Sequence, residues 1–439
     1  MHHDLIIIGA GPAGLSLARA LRASGLRTAL IEQAPLASLQ APAFDGREIA
    51  LTQRSAQHLR QLGIWPLIGE AHIAPLRDAL VLDGNAGPRQ NRMTISHTLS
   101  TQPELGFLVA NHRIRCAAFE AAMAPADASG EPPELRWDSP VTQIHTDSQG
   151  AWATLASGET LTANLIVAAD SRHSSTRRSM GIAADLHDYG RTMLVCNMRH
   201  QQPHHETAWE WFNHGQTLAL LPMNPCPETG SPRSSVVLTL PHHELQPLMT
   251  LPEDAFNATI TQRFAHQLGT MRLSSTRHAY PLVGVWAQRF VARRFAVIGD
   301  AAVGMHPVTA HGFNLGLRSV DTLAKLLLQA HHKKQDIATP ELLRRYQTQH
   351  RFTSRGLYMA THAPGHALHP RSRPGPLAAQ RHGGRWRTLH TIQTRGGGIT
   401  DRSALNGCRP RAHHRLALHQ GTRQFSGLMW GSSAQPTHR

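Results

Sequence analysis

Gly9, Gly11 and Gly14 form a Gly-x-Gly-x-x-Gly pattern directly after a short apolar run, Leu5 to Ile8, and open a stretch of helical character from Pro12 to Ser24. These residue types at this spacing can hold phosphate. Gly9 permits a tight turn out of a strand, Gly11 lets the backbone approach a pyrophosphate, and Gly14 lets the helix pack against the strand. The helix N-terminus would offer free N–H groups and the positive end of its dipole. Gly25 ends the helix and Thr28 to Ile31 reads as a second strand. Glu32 follows, 18 residues after Gly14, where a carboxylate can accept hydrogen bonds from ribose hydroxyls. The strand, glycines, helix, second strand and terminal acid agree on a dinucleotide site, and this separates the stretch from a glycine-rich turn in an ordinary α/β protein. The uncharged run Leu5 to Ala18 could also be read as a targeting or spanning segment. It holds 14 residues, with three glycines and a proline, too few to cross a bilayer, and it lacks a basic leader.

A second set of polar residues lies far along the chain. An apolar strand, Phe295 to Ile298, ends in Gly299-Asp300, and an amphipathic helix runs from Asn314 to Ala330 after a loop shaped by Pro307 and Gly312. An acid after a buried strand suits another cofactor hydroxyl, and a helix N-terminus beyond it suits a ring edge that gathers negative charge. Between the two sets, the strand Leu161 to Ala169 ends on Asp170. An Asp at such a junction is most often a helix N-cap. Arg47 precedes the apolar segment Ile49 to Leu51 and could reach a pyrophosphate or a ring edge, or stand in solvent. Arg113, with His112 and Arg115, opens a helix after Phe107 to Ala110 and has the same two readings.

The elements that must position these residues form an α/β chain. A Rossmann-like dinucleotide-binding domain is expected in two parts, residues 1–182 and 281–360. An antiparallel-sheet (α+β) substrate domain, 183–280, is inserted between them. Its strands read as Thr192 to Met198, Trp209 to Phe212, Leu218 to Leu221 and Val236 to Leu240, with one helix from Asp254 to Leu268. Trp209, Trp211 and Phe212 are either core or the wall of an apolar ring pocket. Residues 76–110 suit strands and loops. A hairpin is expected from Ala151 to Ala169, turning at Ser157-Gly158-Glu159.

Composition excludes several classes. The chain has 439 residues, 41% of them hydrophobic, enough for two or three domains and a large core. The four cysteines, Cys116, Cys196, Cys226 and Cys408, are scattered without metal or disulfide spacing, which indicates a reducing compartment and no metal site. The net charge of +15 suggests nucleic acid, but residues 361–439 carry twelve Arg and one acid, Asp401, and so account for +11 of it. The body is near neutral. The basic segment also loses apolar periodicity and reads as a disordered tail without the aromatic interleaving of a nucleic-acid surface. Such a loss of pattern also suggests an altered reading frame.

Three separated segments resemble the group A FAD-dependent aromatic monooxygenases, the para-hydroxybenzoate hydroxylase superfamily. GAGPAGLSLARAL…LIEQ resembles the FAD fingerprint. LIVAADSRHSSTRR resembles the central Asp-Gly motif, with Ser171 in place of Gly. FAVIGDAAVGMHPVTAHGFNLGLRSVDTLAKLL resembles the Gly-Asp motif, with Ala310-His311 in place of Gly-Gln and Ser319 in place of Asp. That last segment, with FDGREIALTQRS and WEWFNHGQTLALLP, is similar to the ubiquinone-biosynthesis ring hydroxylases and most similar to the 5-demethoxyubiquinol hydroxylase subtype. The resemblance covers about residues 4–360.

It implies FAD as cofactor, NAD(P)H as transient reductant, and O2 used to hydroxylate the ring of a polyprenyl phenol or quinol. Gly9, Gly11, Gly14 and Glu32 would hold the AMP half of FAD, and Asp300 the ribityl or pyrophosphate region. Gly312 and Asn314 would line the ring edge, and Arg47 and Arg113 are further cofactor contacts. No catalytic base is assignable. The expected location is cytoplasmic, compatible with peripheral contact at the inner membrane and with a biosynthetic protein complex. Other readings stay open: a hydroxylase of small phenols, another flavin enzyme such as a halogenase (whose W-x-W-x-I-P motif is missing), or an inactive relative with an aberrant C-terminus.

Overall fold

The computed structural model describes residues 2–367 except 88–89, 100, 127–129, 214 and 306–310. The expectations for Pro307, Ala310 and the tail beyond 367 lie outside the described residues. An eight-stranded sheet holds β1 (His2–Ile8), β2 (Thr28–Ile31), β8 (Glu134–Arg136), β9 (Val141–Thr146), β10 (Ala151–Leu155), β11 (Thr160–Ala168), β18 (Val291–Ala292) and β19 (Phe295–Val297). Its parallel run is ordered β19, β11, β1, β2, β8. Leu5, Ile6 and Ile7 are fully buried, as a strand covered on both faces requires. β10 and β11 form the expected hairpin.

Chain order reverses between β1 and β11. In an open α/β sheet the crevice at the carboxyl ends of the strands flanking such a reversal is where a ligand fits. The turns after β1, β11 and β19 all open at that end. The helix α1 (Pro12–Leu21) leaves the first of them and buries Leu15, Leu17, Ala18 and Leu21, while Gly25 stops the chain in a left-handed conformation at φ 78°.

A second, nine-stranded sheet takes β5 (Asp78–Asp83), β6 (Asn91–Ser96), β12 (Ala184–His200), β13 (Thr207–Asn213), β14 (Gln216–Met223), β15 (Arg233–Pro241), β16 (Met271–Leu273), β17 (His278–Ala287) and β20 (Val303–Gly304). It therefore draws strands from outside 183–280 as well. One face, with Leu194, Cys196, Met198, Trp211, Leu218, Leu220, Val236 and Leu238, packs on helices. Two helices cover it where one was expected. Their ranges are His242–Thr250, containing Pro247, and Glu253–Arg263. The proline conceals the first of them in the sequence, because it weakens the helical signal.

A three-stranded sheet of β3 (Glu48–Thr52), β4 (Ile73–Leu76) and β7 (Gly106–Ala110) lies against the other face of the large sheet. There Ala50, Ala74 and Leu108 meet Leu221 of β14. With α1 as the first helix, α2 spans Asn111–Met123, the two helices above are α3 and α4, α5 spans His311–His332 and α6 spans Pro340–Ala367. Among the described residues no helix is long and apolar enough to cross a membrane.

Candidate functional site

The three glycines of the first turn divide by what surrounds them. A Cβ on Gly9 would lie 2.6 Å from the Ala169 carbonyl oxygen, so the β1 turn is pressed against the end of β11. A Cβ on Gly14 would overlap the Gly9 carbonyl oxygen. Around Gly11 no atom of the described residues lies within 4 Å of such a Cβ. Gly9 and Gly14 therefore serve protein packing, and Gly11 borders open space. Gly11 is also the N-cap of α1, with extended backbone, no side-chain cap and no acid in the first turn. Those N–H groups have no side chain competing for them and suit an anion.

Glu32 reaches the same loop. Its Oε2 accepts the Ala10 N–H at 2.7 Å and Oε1 accepts the Ala34 N–H at 3.0 Å. Each carboxylate oxygen keeps a lone pair for a ribose hydroxyl. The carboxylate so fixes the turn that would carry the phosphates and can bind the sugar beside it.

Asp300 follows β19 in a short helical turn, Gly299–Ala301. Ser319 of α5 accepts the Gly299 N–H at 3.0 Å and donates to the Gly316 carbonyl at 2.6 Å. The serine standing where Asp is common in the resembling family thus has a structural task. Asp300 is partly exposed and meets Arg172 at 3.3 Å. Arg177, buried, donates to the Ala301 carbonyl at 2.8 Å. Neither arginine was singled out from the sequence; both lie in the LIVAADSRHSSTRR segment, and the turn after β11 folds them toward β19. Asp170 accepts the Thr176 N–H at 3.4 Å, a capping contact, while its Oδ1 is buried with no partner among the described residues. An orphan acceptor at the mouth of the strand crevice fits a ligand hydroxyl.

Asn314 proves to be a clip. Its amide donates to the Ala50 carbonyl at 2.8 Å and its oxygen accepts the Thr52 N–H at 3.0 Å. This ties the start of α5 to β3, leaving main-chain groups rather than the Asn314 amide to meet a ring. Gly312, half-buried, has no atom of the described residues within 4 Å of an added Cβ. Arg47 pairs with Asp45 through Nε at 3.1 Å and Nη2 at 2.6 Å, and its guanidinium lies 5.4 Å from the Tyr280 ring centroid. Burial pushes the Asp45 carboxyl up, but the Arg47 charge and hydrogen bonds from Arg47 and Asn111 outweigh it and hold the carboxyl below its ordinary value. Arg113 is exposed in the first turn of α2.

The inner face of the large sheet, opposite α3 and α4, carries an acidic side chain among apolar ones. Leu218 and Leu220 point away into the helix-covered core, as do Trp209 and Trp211. Phe212, Ala219 and Leu221 alternate onto the inner face. Across the sheet on that face, Glu210 stands opposite Ala219, Ala219 opposite Val237, and Val237 opposite Val195. Two carboxyls project toward the space between the sheets. Burial pushes Glu48 up to about 8 against the lowering charge of Arg233, with Asp45 adding to the rise. Burial alone pushes Glu210 up to about 8. Oε1 of each is sealed and has no hydrogen-bond partner among the described residues. Neither was legible from motif spacing, since strand register creates both environments. Among the described residues no three His, Cys, Asp or Glu side chains converge as metal ligands would.

The open space at Gly11 and Gly312, the uncapped α1 terminus, Glu32 and the orphan Asp170 oxygen fit an FAD molecule extended along the strand ends. A family model described as "FAD binding domain" matches residues 2–361. A "Ubiquinone hydroxylase UbiM" of Neisseria meningitidis is 43% identical over 362 residues, spanning 82% of this chain and 76% of that protein. A "Ubiquinone hydroxylase UbiL" of Rhodospirillum rubrum is 34% identical, spanning 78% and 76%. Among solved structures, Pseudomonas aeruginosa PqsL in complex with 2-aminobenzoylacetate superposes with a TM-score of 0.69 at 21% identity, covering 84% of this chain and 97% of that one.

Proposed function

The chain belongs to the FAD binding domain family and is a flavoprotein monooxygenase of the ubiquinone-hydroxylase type; from this premise we propose that it hydroxylates a polyprenyl phenol or quinol, with the 5-demethoxyubiquinol position as the site of attack. The observation that carries the reading is the match to two ubiquinone hydroxylases over more than three quarters of the chain.

When bound, FAD would supply an electrophilic oxygen from O2 after reduction by NAD(P)H. In our reading, Gly11 and Glu32 hold its AMP half on a turn whose packing needs Gly9 and Gly14, and Asp300 with Arg172 holds its central region. Gly312 and the main chain clipped by Asn314 border the ring edge, while Arg47 and Arg113 sit at the periphery. The sheets position the substrate ring and exclude water, which strengthens the interactions inside. Residues 1–182 and 281–360 act as the cofactor-binding parts and 183–280 as most of the substrate wall. A prenyl tail implies access from a membrane surface without a spanning helix, so we assign the enzyme to the cytoplasmic side of that membrane, in contact with other biosynthetic proteins.

A strain lacking the gene is expected to accumulate a demethoxy polyprenyl intermediate by mass spectrometry, and complementation should place oxygen-18 from O2 in the restored ring. Normal quinone in that strain, with no second hydroxylase present, refutes the reading. Accumulation of an intermediate hydroxylated at a different ring position corrects only the regiochemistry.

A further inference from the structure

We propose that Glu210 takes the proton from the ring hydroxyl of the aromatic substrate. The inference rests on the ring-hydroxylase reading and adds the base that motif spacing left unassigned.

The position follows from register. Trp209 and Trp211 enter the helix-covered core, so Glu210 between them must point to the inner face. Its neighbours across the sheet, Ala219 and Val81, offer nothing polar. Next to Ala219 on that face stands Leu221, which packs on Ala50, and the Ala50 carbonyl is the group held by Asn314 at the start of α5. Glu210 is thereby connected to the helix end that borders the cofactor ring by the succession Ala219, Leu221, Ala50 and Asn314. Its Oε1 is sealed from solvent without a partner among the described residues. A buried acceptor in that state calls for an explanation, and a substrate hydroxyl provides one. Other charged groups on the facing elements are Glu48 on β3, Arg233 on β15, whose charge acts on Glu48, and Asp83 at the exposed end of β5. None of them contributes to the environment of Glu210, where burial is the sole cause of the rise to about 8.

The chemistry balances within the site. The ionised carboxylate receives the hydroxyl proton, the O–H bond breaks, and its electron pair stays on the ring oxygen. The ring becomes electron-rich and reacts faster with an electrophilic oxygen. After hydroxylation the product oxygen recovers the proton and the carboxylate is regenerated. Because the ionised form is the acceptor, the rate should rise with pH to a midpoint near 8 and then level.

The test uses the FAD-loaded full chain and its Glu210→Gln and Glu210→Asp variants. Infrared titration of the wild type should show a buried carboxylic-acid band lost with a midpoint near 8, and Glu210→Gln should lack that band. Glu210→Gln should lower kcat/KM about a hundredfold, abolish the rise with pH, and consume NAD(P)H without hydroxylating the ring. Glu210→Asp should restore part of the rate and the pH dependence. If Glu210→Gln loses FAD, the infrared titration and Glu210→Asp decide instead. A wild type that hydroxylates a polyprenyl phenol while Glu210→Gln keeps its rate within about twofold and the same pH profile overturns the role of Glu210 alone. A wild type that oxidises NAD(P)H but hydroxylates no such phenol overturns the functional reading beneath it.

Discussion

The turn after β1 and the inner face of the large sheet both prepare to receive a molecule, but by opposite means. The turn works through what is missing: no Cβ at Gly9, Gly11 or Gly14, no side-chain cap on α1, no acid in its first turn. Its donors are main-chain N–H groups whose direction is set by the helix. The sheet works through side chains, with Glu210 opposite Ala219 and Glu48 facing Arg233, and their properties come from burial between layers. Main-chain recognition is local in sequence and tolerant of changes elsewhere. Side-chain recognition across a sheet depends on register, and a slip of one residue would exchange Glu210 for a tryptophan.

The largest expected effect comes from breaking the turn as structure. Gly14→Val puts a side chain into the Gly9 carbonyl, and strand and helix cannot separate without opening the central sheet. Loss of soluble protein is expected, measured as the soluble fraction and the circular dichroism spectrum. A soluble, normally folded Gly14→Val would show that Gly14 is no packing residue.

Gly11→Val is the paired experiment. Its Cβ meets no atom of the described residues within 4 Å, so the fold should persist while FAD affinity falls at least about a hundredfold, or about 3 kcal/mol. Flavin absorbance per protein chain after purification measures the loss, and thermal unfolding of the apo protein checks the fold. Stoichiometric FAD in this variant would mean that the space above Gly11 is not where the pyrophosphate lies. Asp300→Ala should act in the same direction but less, about tenfold or more in FAD affinity. That exceeds the roughly 1 kcal/mol of a lost helix cap. An unchanged flavin Kd with a modest loss of stability would reduce Asp300 to a cap paired with Arg172.

This contrast also governs what could be read without coordinates. The β1–turn–α1–β2 unit was legible because its period, glycines and acid all lie within about thirty residues and each has a local cause. Thr28–Ile31 and the 151–168 hairpin were legible for the same reason. Asn314 is expected to line a ring edge; its amide also holds β3, a contact with a partner 264 residues away that no local pattern encodes. Arg172 and Arg177 pass for a surface-like run of charge until the turn after β11 folds them onto Asp300 and Ala301. Leu218 and Leu220 illustrate the limit from the other side. Strand alternation puts them on one face, but only the position of α3 and α4 decides which face is core.

The smallest expected effect tests whether the sheet's carboxyls behave as the comparison requires, through stability rather than catalysis. The folded-state value of Glu48 is about 8, above its ordinary 4.5. Below 4.5 both states are protonated and pH has no leverage. Between 4.5 and 8 the folded state keeps a proton that the unfolded state has released, so this group makes stability fall as pH rises through that window. Above 8 the penalty is fully present, on the order of a few kcal/mol and reduced by the facing Arg233. Glu48→Gln keeps the volume and removes the proton equilibrium. The drop in Tm between pH 5 and pH 8.5 should shrink by about a few degrees relative to the wild type. The absolute Tm at pH 5, where Glu48 is already neutral, should change little. The same substitution leaves the turn after β1 untouched, so FAD binding at pH 7 should be retained. If the two proteins keep parallel Tm profiles, Arg233 already holds Glu48 ionised in the fold, and the polar end of the inner face is an ion pair rather than a buried neutral acid.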